Sequence, residues 1–157
     1  MNTKLVEIPD YTTTTPADFA AMPDEVQQGL LNVLSTAMEG GVNYWAATSR
    51  YVWRERGPKG EVTDSLRMRV DAFAVVYDAE EEPDEGEEVT RYTIDGASIV
   101  RGLARLADMQ IQTGPPTSGG TWAEALRLML AGEDWDYDAD DADRIVQAAL
   151  FGKLVFG

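Results

Sequence analysis

Six aspartates fall within ten residues, Asp134–Asp143 (DWDYDADDAD), directly after Glu133. Carboxylates at this density suit three roles: binding a hard cation, capping a helix, or facing a basic surface. A calcium loop begun at Asp134 would take oxygens from Asp136, Asp138 and Asp140. Its sixth position needs glycine for the sharp turn and holds Ala139; its twelfth needs a bidentate glutamate and holds Ile145. The EF-hand pattern therefore fails, which leaves only a cation site of some other geometry. Asp140, Asp141 and Asp143 suit the start of a last helix, where negative charge meets the positive end of the helix dipole at about 0.3–1 kcal/mol each. That role leaves Glu133, Asp134, Asp136 and Asp138 unexplained. On an extended segment alternate side chains lie ~6.5–7 Å apart on one side. Phosphates along a nucleic-acid strand, with one charge per ~3.4 Å of rise plus winding, have a comparable spacing. Asp134, Asp136, Asp138 and Asp140 thus resemble a short phosphate track, suited to a basic protein surface.

A second run, Asp78–Glu88 (DAEEEPDEGEE), holds Glu80, Glu81, Glu82, Asp84 and Glu85 among its 8 acids and contains no base. The chain has 28 acidic and 13 basic residues, a formal charge of −15. With the 15 acids of the two runs set aside, 13 acids face 13 bases, so the excess charge is confined to two patches. Such patches repel nucleic acid and anionic lipid and attract basic surfaces. The expected binding surface is Glu133, Asp134, Asp136, Asp138, Asp140 and Asp141, assisted by Glu80, Glu81, Glu82, Asp84 and Glu85.

Other chemistry is scarce. The absence of cysteine and histidine removes thiolate sites, the Ser-His-Asp triad and the commonest general base. The chain has no G-x-x-x-x-G-K-[ST] loop and no G-x-S-x-G elbow, and 28 acids single out no catalytic pair for glycoside hydrolysis. The expectation is a non-enzymatic protein with no cofactor and no metal. An alternative site is an aromatic and arginine-rich sheet face, Trp45, Trp53, Arg67 and Arg69, able to stack a base or hold a phosphate. Against it, tryptophans at strand spacing are more often core, and arginines pair with neighbouring acids.

The elements that would position these residues are as follows. At 157 residues the chain is long enough for one domain with a real core. Lys4–Ile8 reads as an edge strand, and residues 9–21 as a flexible arm. Pro23–Glu39 has helical spacing (Val26, Leu30, Val33, Leu34, Met38) with a stop at Gly40-Gly41. Val42–Trp53, Leu66–Tyr77 and Val89–Ile94 read as strands, the acidic loop 78–88 joining the last two. Asp95 caps a helix with Ile99, Val100, Leu103 and Leu106 inside and Arg101 and Arg105 outside. Thr121-x-x-Glu124 reads as a capping box, and a last helix ends at Gly152. The expected fold class is α+β: one domain, residues 1–157, with an antiparallel meander of about three strands, plus the N-terminal edge strand, packed against about four helices. No signal peptide or ~20-residue apolar span is evident, so a cytoplasmic protein is expected.

Two stretches carry a resemblance. GGVNYWA (Gly40–Ala46) and DADDADRIVQAALFGKLVFG (Asp138–Gly157) resemble small uncharacterised acidic proteins of bacteriophages and mobile elements. Those proteins pair a GG-x-x-Y-W stretch with a C-terminal D-A-D-x-x-x-Q-x-A-x-F-G-x-x-x-[FY]-G. The match falls on Asp141, Ala142, Asp143, Gln147, Ala149, Phe151, Gly152, Phe156 and Gly157. It implies a phage-like origin, in the bacterial host cytosol, and no catalytic residue. Small acidic phage proteins often occupy host nucleic-acid-binding defence factors, so the expected partner is a basic, nucleic-acid-binding host protein, with no direct contact to nucleic acid or membrane. Gln147 is the odd polar residue in an apolar run. It is either exposed, or buried and bonded to the Tyr44-Trp45 segment.

Overall fold

The computed structural model describes residues 10–52, 69–75 and 91–156, with side chains over 10–46 and 92–156. Lys4–Ile8, Trp53, Arg67 and the acidic loop 78–88 lie outside the described residues.

Six α-helices are described: α1 Pro16–Ala20, α2 Asp24–Thr36, α3 Gly96–Asp108, α4 Gln110–Thr113, α5 Trp122–Leu130 and α6 Ala139–Phe151. The chain centres on α3. Its strongly one-sided sequence buries Ile99, Val100, Leu103 and Leu106 completely, and α2, α5, α6 and the N-terminal turns pack around it. The closest crossing is with α6. There Gly102 lies so near the backbone of Ile145 that a Cβ would overlap the Ile145 carbonyl oxygen.

The expected sheet-centred α+β fold is overturned. Over residues 10–46 and 92–156, 64% of positions are helical and one strand is present. Extended backbone at β1 (Ala46–Val52), β2 (Arg69–Val75) and β3 (Arg91–Asp95) pairs antiparallel in chain order. This ladder is not the platform of the fold: its elements contact one another, and β3 alone has a substantial contact with a helix, α3. Among the described side chains the helices bury their apolar faces mainly against each other, and Ile94 of β3 joins the same core.

Local signals account for the ends. Asp95 caps α3 with a reciprocal box: it accepts from the Ser98 N–H, and Ser98 Oγ accepts from the Asp95 N–H. At α5 only half of the expected box forms, with Thr121 Oγ1 accepting from the Glu124 N–H. Gly152, at φ +68°, ends α6 in the left-handed region that glycine adopts freely. The helix begun at Asp24 widens into a π-turn at Ala37–Gly41, and the chain then turns through Tyr44 and Trp45 before β1 begins at Ala46. Tyr44 and Trp45 are therefore turn residues, not strand residues as expected.

The arm expected to be flexible is docked over its described part, 10–21. Phe19 is buried beneath Gly96, where a side chain would collide with its ring. Arg101, expected outside, donates from Nη1 to the Thr14 carbonyl at 2.9 Å. Arg105 likewise turns inward, to the Ala148 and Ala149 carbonyls near the C-terminus of α6. There its charge meets the negative end of the dipole. No helix among the described residues is long and apolar enough to cross a membrane.

Candidate functional site

The aspartate run divides into two populations. At the end of α5, Gly132 adopts φ +71°, the Gly132 N–H donates to the Met129 carbonyl and the Glu133 N–H donates to the Leu128 carbonyl. This Schellman closure fixes the direction in which the acidic segment leaves the helix. From there the side chains alternate: Glu133, Asp134, Asp136 and Asp138 are exposed, whereas Trp135 and Tyr137 are half-buried. Trp135 meets Trp122 edge-on at 6.0 Å and lies 5.4 Å from Tyr137. The aromatic pair holds the segment against the body while the carboxylates face water. Asp140, in the first turn of α6, is also exposed.

No described lysine or arginine forms an ion pair with Glu133, Asp134, Asp136, Asp138 or Asp140. A shallow groove of about 400 Å³ extends this face, lined by Glu133 and Asp134 together with Asp24 and Glu25 from the first turn of α2. No group of three or more carboxylates arranged to hold a metal occurs among the described residues.

Asp141 belongs to the other population, and its assignment to the binding surface is corrected. It is fully buried. Oδ1 accepts from the Thr117 N–H at 2.7 Å, the Thr117 hydroxyl at 3.0 Å and Arg144 Nη2 at 2.9 Å. Oδ2 accepts from the Ser118 hydroxyl and closes a reciprocal capping box with Asp138. Arg144 extends the hub, donating to the Pro115 carbonyl and lying 5.1 Å over the Trp122 ring. Asp141 therefore pins the Pro-Gly loop 114–120 to the start of α6, and no oxygen is left for a partner.

Asp143 organises a second hub, which joins the two stretches that carry the resemblance. Trp45 Nε1 donates to Oδ1 at 2.7 Å, Gln147 Nε2 donates to Oδ1 at 3.0 Å, and the Tyr44 hydroxyl donates to Oδ2 at 2.6 Å. Gly41 permits this approach, since a Cβ there would press on the Ala139 carbonyl oxygen at 2.7 Å. Of the two readings of Gln147, buried and bonded is the observed one: it is fully buried, and Nε2 also lies 3.4 Å from the Tyr44 hydroxyl. Trp45, only 1% exposed, stacks on Phe156 at 4.9 Å and meets Phe151 edge-on. It is thus core and cannot serve the alternative aromatic site. Trp53 and Arg67 lie outside the described residues, and of Arg69 only the β2 backbone is described.

Burial raises the Asp143 carboxyl above its usual range despite the three hydrogen bonds that lower it, and nearby Asp140 pushes it the same way. The Tyr44 hydroxyl is also raised, first by burial and then by its bond to Asp143. A carboxyl whose pKa is raised on folding contributes most stability below its unfolded pKa of about 3.9, and loses that contribution as pH rises through the folded value. Asp143→Asn retains acceptors for Trp45 and Gln147 without the buried charge. Its stability relative to the native chain should therefore improve as pH rises above about 4 and level off once pH has passed the folded carboxyl's raised pKa. Urea denaturation of both proteins across that range checks this; a pH-independent difference would exclude it.

No protein-family model, curated protein or solved structure matches this chain.

Proposed function

We propose that this chain is a non-enzymatic phage or mobile-element protein of the host bacterial cytosol that binds and occupies a basic, nucleic-acid-binding host protein. The acidic face stands in for the phosphate backbone that the partner would otherwise hold, in counter-defence or host takeover. The observation that carries this reading is the exposed row of Glu133, Asp134, Asp136, Asp138 and Asp140. It is held from behind by Trp135 and Tyr137 and has no cationic partner among the described residues. Carboxylates crowded together without a described cationic partner repel one another and are best offset by an external cation-rich surface. Because the row is already extended and anchored, binding requires little further ordering.

The test is capture from a bacterial lysate with washes of rising salt, using the native chain beside a variant with Asp134, Asp136, Asp138 and Asp140 all changed to Asn. Asparagine caps a helix as well as aspartate does, so the change at Asp138, the N-cap of α6, leaves the fold intact. The native chain should retain a basic partner at low salt and lose it as ions screen the contact, and the variant should retain none. Binding that survives the four substitutions at moderate salt would refute the proposal.

A further inference from the structure

The groove of about 400 Å³ beside the acidic row has two banks of different origin. One is a face of α2, where Asp24 and Gln28, and Glu25 and Gly29, recur at the four-residue spacing that sets side chains in line. The other is the C-terminal end of α5, with Glu133 and Asp134 beyond it. The C-terminal end of a helix carries the negative pole of its dipole. The banks meet closely, since a Cβ on Gly132 would lie 3.5 Å from Glu25 Oε2. Two residues give the groove an apolar floor. Gly29 projects no side chain, and Met129, 4% exposed, lies against it, with Cε 3.3 Å from where a Cβ on Gly29 would stand. More of the wall is apolar than polar. Around this floor Asp24, Glu25, Glu133 and Asp134 are all exposed, and none of them pairs with a lysine or arginine among the described residues.

We infer that this groove receives an arginine side chain of the basic partner. The inference rests on the acidic face being a binding surface for a basic protein, and it names the group that is recognised. A compact metal ion does not suit the groove, because no three carboxylates among the described residues are placed to share one. An arginine does. Its methylene stem covers Met129 and the bare backbone at Gly29. Its planar guanidinium, weakly hydrated and with five donors, matches carboxylates standing on two banks. The volume is near the low end of the roughly 300–1,000 Å³ of small-ligand sites, which is room for a side chain and not for a folded element. The exposed row then steers the partner by charge, and the groove fixes which residue docks.

The test is a low-salt titration of the full chain with the blocked peptide Ala-Arg-Ala-Arg-Ala, followed by NMR. The Met129 methyl and the Gly29 and Gly132 amides should shift saturably. Gly29→Leu fills the floor and changes no charge, so it separates the groove from the acidic field; it should weaken binding at least fivefold. If that variant does not fold, Gln28→Trp, on the exposed side of the same bank, takes its place. The lysine peptide of equal charge should also bind at least fivefold more weakly. No saturable shift at Met129, equal affinity for the native and filled chains, or equal affinity of the two peptides would overturn the inference. A lysate partner that the four-Asn variant loses but Gly29→Leu holds as well as the native chain does would overturn the groove alone and leave the acidic-face reading standing. The acidic-face reading fails differently, when the lysate yields no salt-sensitive partner; arginine-selective docking at Met129 then still supports the groove.

Discussion

Gly102→Ala should destabilise the protein by about 3 kcal/mol or more, the upper end of the range for overpacking a tightly packed contact. The added methyl would overlap a backbone oxygen of α6, Ile145 O, and press on Ile145 Cγ2. Neither α3 nor α6 can relieve this by a rotamer change, so the helices must move apart. Separation loosens the fully buried Leu103, Ile145 and Val146 together. Gly29→Ala is the control. It also lies within a helix, but its nearest neighbour is Met129 Cε at 3.3 Å, the far end of an unbranched side chain, so the gain in helix propensity, about 1 kcal/mol, should make it neutral or stabilising. Urea titrations of the two variants measure the contrast; equal effects would mean that the α3–α6 crossing is looser than described.

Asp141→Ala should be as damaging, costing about 3–5 kcal/mol, as expected when one partner of a buried ion pair is removed. The change removes the buried acceptor shared by the Thr117 N–H, the Thr117 and Ser118 hydroxyls and the Arg144 guanidinium, and removes half of the capping box of α6. Asp140→Ala, one residue away and exposed, should change stability by less than about 0.5 kcal/mol, as surface substitutions usually do. Thermal unfolding of the pair checks this, and an effect at position 141 no larger than at 140 would refute the hub.

That contrast marks how far the sequence could be read. Asp140 and Asp141 are indistinguishable in composition, but adjacent residues on a helix differ by about 100° in direction, and only the packing of loop 114–118 decides which one is buried. The spacing of Asp141 and Arg144, three residues apart, was an available clue. Local signals fared well where the physics is local, as at the Asp95 cap and at Gly152. They failed where partners are distant. Tyr44 and Trp45 look like strand residues by propensity, yet a carboxylate 98 residues away holds Trp45 in a turn. Arg105 looks like a solvent residue by periodicity, yet reaches carbonyls 43 and 44 residues away. The fold class is hidden for a related reason. The β-rich stretches were visible as sequence, but whether helices would cover a sheet or each other depends on which apolar faces meet, and α3 presents buried residues to several neighbours.

The two aromatics behind the acidic row have a practical consequence. Trp135 lies between Asp134 and Asp136 in sequence, half in contact with water, its indole against Trp122 and Tyr137. Anything that settles on the neighbouring carboxylates displaces the solvent around that indole. The chain therefore carries its own optical gauge of occupancy. A Trp135→Phe substitution would isolate its signal from those of the other three tryptophans, so that engagement of the acidic face could be followed in solution without a tag or dye.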